Sequence, residues 1–249
     1  MDRLVHTSLS ALRGAMARQA ATANNLANVN TVGFRGEFAA ARSLWLHGGG
    51  AALDSRVLSD EQVAGADMRS GTVTETGRDL DVAVDGDAFF TVQAKNGEEA
   101  YTRRGDLQLS DTGLLTTGEG DPVLGEQGPV TIPPSDSVKI EGDGSVWVVP
   151  LGGDASKPQR IDRLKLASPV GSQVVKGLDG LFRVRGGGAL PADPNAKVKS
   201  GALEGSNVEA TKALVDMIDA SRAWDTQLKL ISTARELDGA SADLMRLPD

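Results

Sequence analysis

Cysteine is absent from this 249-residue chain, which excludes disulfides, thiolate metal sites and cysteine nucleophiles. Histidine is scarce. His6 and His47 stand far apart, which argues against a His-based zinc site or catalytic triad. No run approaches the ~20 apolar residues that span a bilayer. Met1-Asp2-Arg3-Leu4 does not open a secretory signal peptide, because His6, Thr7, Ser8, Arg13 and Arg18 interrupt any apolar segment. The expectation is a chain that stays in the cytoplasm or leaves by a route that cleaves no N-terminal signal. A basic surplus is missing too: 26 Lys plus Arg face 34 Asp plus Glu, a net charge of −8, so nucleic acid is not the expected partner. With 40% hydrophobic and 24% charged residues, the chain has a globular composition and ample length for a core.

Glycine and proline are scarce where helices would need them to be. Residues 1–38 hold three Gly and no Pro, and residues 206–249 hold one of each. The remaining 26 Gly and nine Pro lie between. Helix interiors reject both residues, whereas turns require them. The chain therefore reads as helix, turn-rich β region, helix. The first helix is expected over about 4–28, with Val5, Leu9, Leu12, Met16, Gln19, Ala23 and Leu26 spaced 4, 3, 4, 3, 4, 3 as a heptad seam. Asn28, Asn30 and Gly33 supply its stop. The last helix is expected over about 207–238. It opens on a capping box, Ser206-Asn207-Val208-Glu209, in which the Ser206 hydroxyl accepts from the Glu209 amide. Its apolar residues Val208, Leu214, Val215, Met217, Ile218, Trp224, Leu228, Ile231 and Leu237 cover more than one stripe, so the helix wants more than one neighbour.

The fold class expected is α+β: paired, coiled-coil-like N- and C-terminal helices flanking a central irregular all-β domain. The divisions expected are residues 1–38 plus 206–249 as a terminal helical domain, 39–76 plus 196–205 as an extended connector region, and 77–195 as the β domain. Leu80, Val82 and Val84 alternate with Asp79, Asp81 and Asp85, which predicts a half-buried strand with its acids in solvent. Phe89–Gln93 and Tyr101–Arg103 bracket Asn96-Gly97 as a hairpin. Further strands are expected near 107–109, 114–116, 130–132, 138–140, 145–149, 161–167 and 181–185. Gly48-Gly49-Gly50 marks a flexible point, and Ser70–Thr74 an extended return.

No catalytic constellation emerges. Asp111-Thr112-Gly113 matches the aspartic-protease triplet, but that chemistry needs two carboxylates sharing a proton and no second copy exists, so a β-turn is the expected reading. Asp79, Asp81, Asp85 and Asp87 fail the register of a calcium loop, since counting from Asp81 puts Ala83 third and Val92 twelfth. The two Gly triplets lack any phosphate-loop context. Neither a metal nor a cofactor is expected.

Ala23-Asn24-Asn25-Leu26-Ala27-Asn28-Val29-Asn30-Thr31-Val32-Gly33-Phe34-Arg35 resembles the N-terminal signature of flagellar basal-body rod and hook proteins, A-N-N-(L/I)-A-N-x-x-T-x-G-(F/Y)-(K/R). Thr76–Phe90 is similar to the family's T-G-x-x-L-D-x-A-I-x-G-x-G-F-F segment, with Ala88 where Gly is usual. Tyr101-Thr102-Arg103-Arg104-Gly105 matches Y-T-R-x-G, and Gly201–Val208 matches G-x-L-E-x-S-N-V. The resemblance covers nearly the whole chain. It implies a structural, non-enzymatic axial component of the proximal rod in the flagellar basal body, a distal-rod or hook-type relative being the alternative and an Asp111 protease a remote one. It further implies export through the flagellar type III apparatus without signal cleavage, a periplasmic place in the rod, and partners that are copies of this chain and other rod proteins, so that torque is transmitted and the export channel walled. The assembly interface expected on that basis comprises Val5, Leu9, Leu12, Met16, Ala23, Leu26, Leu214, Met217, Ile218, Trp224, Leu228 and Ile231. The motif residues implied are Asn24, Asn25, Leu26, Ala27, Asn28, Thr31, Gly33, Phe34, Leu203, Glu204, Ser206, Asn207 and Val208.

Overall fold

The computed structural model describes residues 2–46, 55–154 and 156–245, which fall into two units. The first unit combines residues 1–27, 37–65 and 209–249. It contains helix α1 (Asp2–Ala27), a two-stranded sheet of β1 (Glu37–Leu46) and β2 (Ser55–Ala66), and helix α2 (Ala210–Met245). Both helices are rich in Ala and free of Pro, the condition for long uninterrupted turns. The flexible point at Gly48–Gly50, and His47 beside it, lie outside the described residues.

The terminal helices do not form the expected coiled-coil-like pair. One helix stands at each end of a β-rich middle, so the architecture is α+β, but the apolar seam read along α1 is not its buried stripe. Leu9 and Met16 are exposed, while Ser10, Gly14, Ala15 and Ala21 are the buried residues of α1 among the described side chains. Along α2 only Ala213 is fully buried among the described side chains, and Leu214, Val215, Ile218, Leu228, Leu230 and Leu237 are exposed. The physical reason is the sequence of α2: its large apolar side chains spread around the helix, and no single stripe can be covered by one neighbour. The capping box also fails to form. Ser206 Oγ accepts from Val208 N at 3.2 Å, Glu209 turns its carboxylate to the Thr211 hydroxyl at 2.8 Å, and the helix starts at Ala210.

The second unit combines residues 28–36 and 66–208. Its strands are β3 (Val73–Glu75), β4 (Val82–Asp85), β5 (Phe89–Gln93), β6 (Glu99–Thr102), β7 (Gln108–Leu109), β8 (Leu115–Thr116), β9 (Ser135–Ile140), β10 (Ser145–Pro150), β11 (Gln159–Arg163), β12 (Leu166–Ala167), β13 (Val174–Lys176), β14 (Phe182–Val184), β15 (Lys197–Ser200) and β16 (Ala202–Glu204). They form a five-stranded sheet in the order β12-β5-β6-β14-β13, a three-stranded sheet β11-β10-β9, and the pairs β15-β4, β16-β3 and β7-β8. The strand pairings are antiparallel, with Phe90 opposite Thr102 and Thr91 opposite Tyr101 at the hairpin. Successive residues of a strand face opposite sides. Phe90 and Val92 accordingly join the main core with Val82, Leu107, Leu115, Ile140 and Val146, while Phe89 joins a second core with Tyr101, Phe182 and Leu190.

The acidic strand differs from its expected pattern. Val82, Ala83 and Val84 are all buried, so β4 is covered on both faces. Asp79, Asp85 and Asp87 are exposed, but Asp81 is buried: its Oδ2 accepts from the Thr76 hydroxyl at 2.7 Å, and Arg78 Nε stands 2.8 Å from its Oδ1. A carboxylate at a core position is tolerated when it is paired in this way. The turns at Asn96-Gly97 and Asp111–Gly113 stand where expected, each closed by a glycine with positive φ.

Candidate functional site

Three segments far apart in sequence meet inside the second unit. Arg35 arrives on the segment that leaves α1, Arg103 follows directly on β6, and Glu204 ends β16. Glu204 Oε1 lies 2.8 Å from Arg35 Nη2, and Oε2 lies 2.8 Å from Arg103 Nη2 and accepts from Arg103 Nε at 2.9 Å. The three side chains are 2%, 2% and 1% exposed, so this is a cluster withdrawn from water. Glu204 Oε1 also accepts from the Gly71 amide at 2.8 Å, and the Glu204 carbonyl accepts from the Gly33 amide at 2.8 Å. Arg103 Nη1 donates to the Gly86 carbonyl at 2.8 Å and to the Ala88 carbonyl, and Nη2 donates to the Val84 carbonyl at 3.3 Å. Burial pushes the Arg103 guanidinium below its usual range, the Glu204 charge opposing and the Arg35 charge adding to the shift.

Two glycines allow the backbones to approach this closely. Gly33 has φ +67°, and a Cβ there would run into the Arg103 backbone. A Cβ on Gly105 would overlap the Val82 carbonyl, in the place where the Val82 amide donates to the Gly105 carbonyl at 2.9 Å.

Asn207 makes a second knot in the same unit. Its Oδ1 accepts from Gly36 N at 2.7 Å, and its Nδ2 donates to the carbonyls of Asp67 at 2.8 Å and Arg69 at 2.9 Å. One side chain thus holds the outgoing chain, its return and the C-terminal segment. Phe34 carries Lys176 Nζ 3.6 Å over its ring, and the same ammonium donates to the Arg35 carbonyl at 3.0 Å. The Thr31 hydroxyl donates to Asn28 Oδ1 at 3.1 Å and closes the turn after α1. In the first unit, Asn25 clasps the Glu37 backbone from both sides: Nδ2 donates to its carbonyl and Oδ1 accepts from its amide, each at 2.7 Å.

The motif residues therefore divide. Gly33, Phe34, Glu204 and Asn207 join one network, with Asn28 and Thr31 forming the turn that leads into it. Leu203 is half-buried in β16 opposite Thr74; Ser206 makes the local bond to Val208, which is half-buried. Asn24 and Ala27 are exposed residues of α1, and Leu26 is half-buried. Of the expected interface, Leu9, Met16, Ala23, Leu214, Ile218 and Leu228 are exposed, whereas Leu12, Leu26, Met217, Trp224 and Ile231 are half-buried; the Val5 side chain lies outside those described. Asp111 sits exposed in the β7–β8 turn, where the Ser110 and Thr112 hydroxyls stand 2.9 Å apart. Among the described residues, no group of three or more His, Cys, Asp or Glu side chains is arranged to hold a metal ion. The partners of Glu204 escaped sequence reasoning. Arg35, Arg103 and Glu204 all lie within quoted motifs, but nothing in the sequence pairs them.

The motif residues hold one another's side chains and backbones, so the matched residues build a junction. Family models agree along the chain. Residues 6–35 match the flagella basal body rod protein, 83–148 the flagellar hook protein FlgE/F/G D1 domain, and 199–244 the flagellar basal body rod FlgEFG protein C-terminal. The chain is similar to the flagellar basal-body rod protein FlgF of Escherichia coli (strain K12), 39% identical over 99% of this chain and 100% of the relative. Salmonella typhimurium FlgF is 38% identical over the same shares, and Bacillus subtilis (strain 168) FlgG is 33% identical over 95% of this chain and 97% of that one. The chain belongs to the flagellar basal-body rod protein family, and its place is the flagellar basal body.

Proposed function

We propose that this chain is a non-catalytic building block of the proximal rod, passed through the flagellar type III export apparatus without signal cleavage and assembled in the periplasm with copies of itself and related rod proteins. There it transmits torque and helps wall the export channel. The observation that carries the assembly reading is bare apolar surface on the helices. Leu9, Met16, Leu214, Ile218 and Leu228 are between 41% and 54% exposed. Covering half of such a side chain is worth roughly 1 kcal/mol, so five of them supply roughly 5 kcal/mol per subunit on packing against neighbours. No helix among the described residues is long and apolar enough to cross a membrane.

Met16→Asp and Ile218→Asp test this. Both side chains face solvent in the single chain, so the fold should survive. The expected result is normal protein levels, no incorporation into rods and no swimming. Normal motility with the variant as sole copy would overturn the reading.

A further inference from the structure

The β13–β14 hairpin is well knit within itself and lightly tied to the rest of its unit. Three residue pairs join its strands, and Arg183 grips Asp179 across the turn at 2.6 and 2.9 Å. Its seam with the sheet is one pair, Phe182 opposite Tyr101, where β5 and β6 share four. Two side chains anchor it by packing. Leu181 enters the main core, and Phe182 enters the second with its ring centroid 5.2 Å from that of Phe89. Lys176 adds a polar tie: its ammonium sits 3.6 Å over the Phe34 ring and donates at 3.0 Å to the carbonyl of Arg35, 141 residues away in sequence. Phe34 and Arg35 are themselves placed from elsewhere. The Gly33 amide donates to the Glu204 carbonyl at 2.8 Å, and the Gly36 amide to Asn207 Oδ1 at 2.7 Å.

We propose that this hairpin is a latch. It opens as a local unit while the main core, Leu181 apart, stays folded, and Lys176 is the bolt that holds it shut against the docked 28–36 segment. A region opens locally when few contacts cross its border. Once lifted, the hairpin is not protected by its own ladder, because a lone two-stranded hairpin is marginally stable in water. The bolt depends on the segment: without the Phe34 ring and the Arg35 carbonyl in place, the ammonium loses both contacts. Closure of the second core, to which the hairpin brings Phe182, is thereby coupled to docking of the chain that leaves α1.

Native-state hydrogen exchange on the full-length chain tests this. The probes are the amides of Val175 and Arg183, paired at the centre of the hairpin. The reference is Val123 and Val130, main-core residues whose amides donate to the Leu115 and Val123 carbonyls. Corrected for intrinsic rates, the hairpin amides should exchange about tenfold faster or more, and with less dependence on urea, since a local opening exposes less surface. Equal rates with equal urea dependence would overturn the latch. Lys176→Met keeps the apolar stem and removes the charge. It should speed the hairpin amides about tenfold, through loss of a cation–ring contact and a charged hydrogen bond. No change in that variant would overturn the bolt. Phe34→Leu should speed the same amides in the wild-type chain and less in the Lys176→Met chain, because both changes break one contact. The same acceleration in both backgrounds would overturn the coupling to the 28–36 segment.

Discussion

Replacing Glu204 by alanine removes the carboxylate that holds Arg35 and Arg103 together. Four contacts disappear at once: the Arg35 ion pair at 2.8 Å, two Arg103 contacts at 2.8 and 2.9 Å, and the Gly71 amide bond at 2.8 Å. Two guanidinium groups, each 2% exposed, are then left facing each other without a counter-charge. Removing one partner of a buried charge pair costs about 3–5 kcal/mol, set against a total stability of roughly 5–15 kcal/mol. With a urea slope of roughly 3 kcal/mol per M, the unfolding midpoint should fall by about 1–2 M. Fluorescence of Trp147, in a chain with Trp45 and Trp224 replaced by Phe, reads the second unit alone. Adding Arg35→Met to the alanine variant should recover part of the loss, because one unpaired cation is gone. A midpoint drop under about 0.3 M for Glu204→Ala, with no recovery in the double variant, would refute the claim that the cluster locks the three segments.

Other consequences are equally measurable. Tyr101 is the chain's single tyrosine; burial, with the Glu99 charge adding and the Leu190 amide opposing, pushes its phenol up to about 12 from an ordinary 10. A raised value in the fold means full stability below pH 10 that is lost as pH climbs toward 12, in all roughly 3 kcal/mol. Ultraviolet titration of tyrosinate should therefore report one late transition, Tyr101→Phe should flatten the alkaline stability curve, and an ordinary midpoint near 10 would refute this. Gly33→Ala combines a disfavoured positive φ with a collision against the Arg103 backbone, so it should cost at least about 2 kcal/mol in urea unfolding; a neutral effect would contradict the close approach.

Much of the architecture was legible because glycine and proline obey local rules. Both helices lie where breakers are few, and the turns at Gly97 and Gly113 lie where Asn-Gly and Asp-Thr-Gly predict them. What failed were inferences about which face is covered. What contradicts the expected coiled-coil-like pair is that, among the described side chains of α1, the small residues Ser10, Gly14, Ala15 and Ala21 are the covered ones, and periodicity alone does not say which side of a helix its own chain buries. Asp81 was misplaced for the same reason, since its burial depends on Thr76 and Arg78 curling back to it. The junction was half visible. Glu204 and Asn207 stood out in a long motif, yet Arg103 and Glu204 are 101 residues apart, and no local pattern pairs residues at that distance.

The central claim, that this chain is a structural part of the rod, is tested most directly by isolating intact basal bodies from cells whose sole copy carries an epitope tag. The tag should travel with the rod and persist through washes that strip loosely bound protein. Complete rods without the tag, in cells where the tagged chain remains soluble and the flagella still turn, would contradict it.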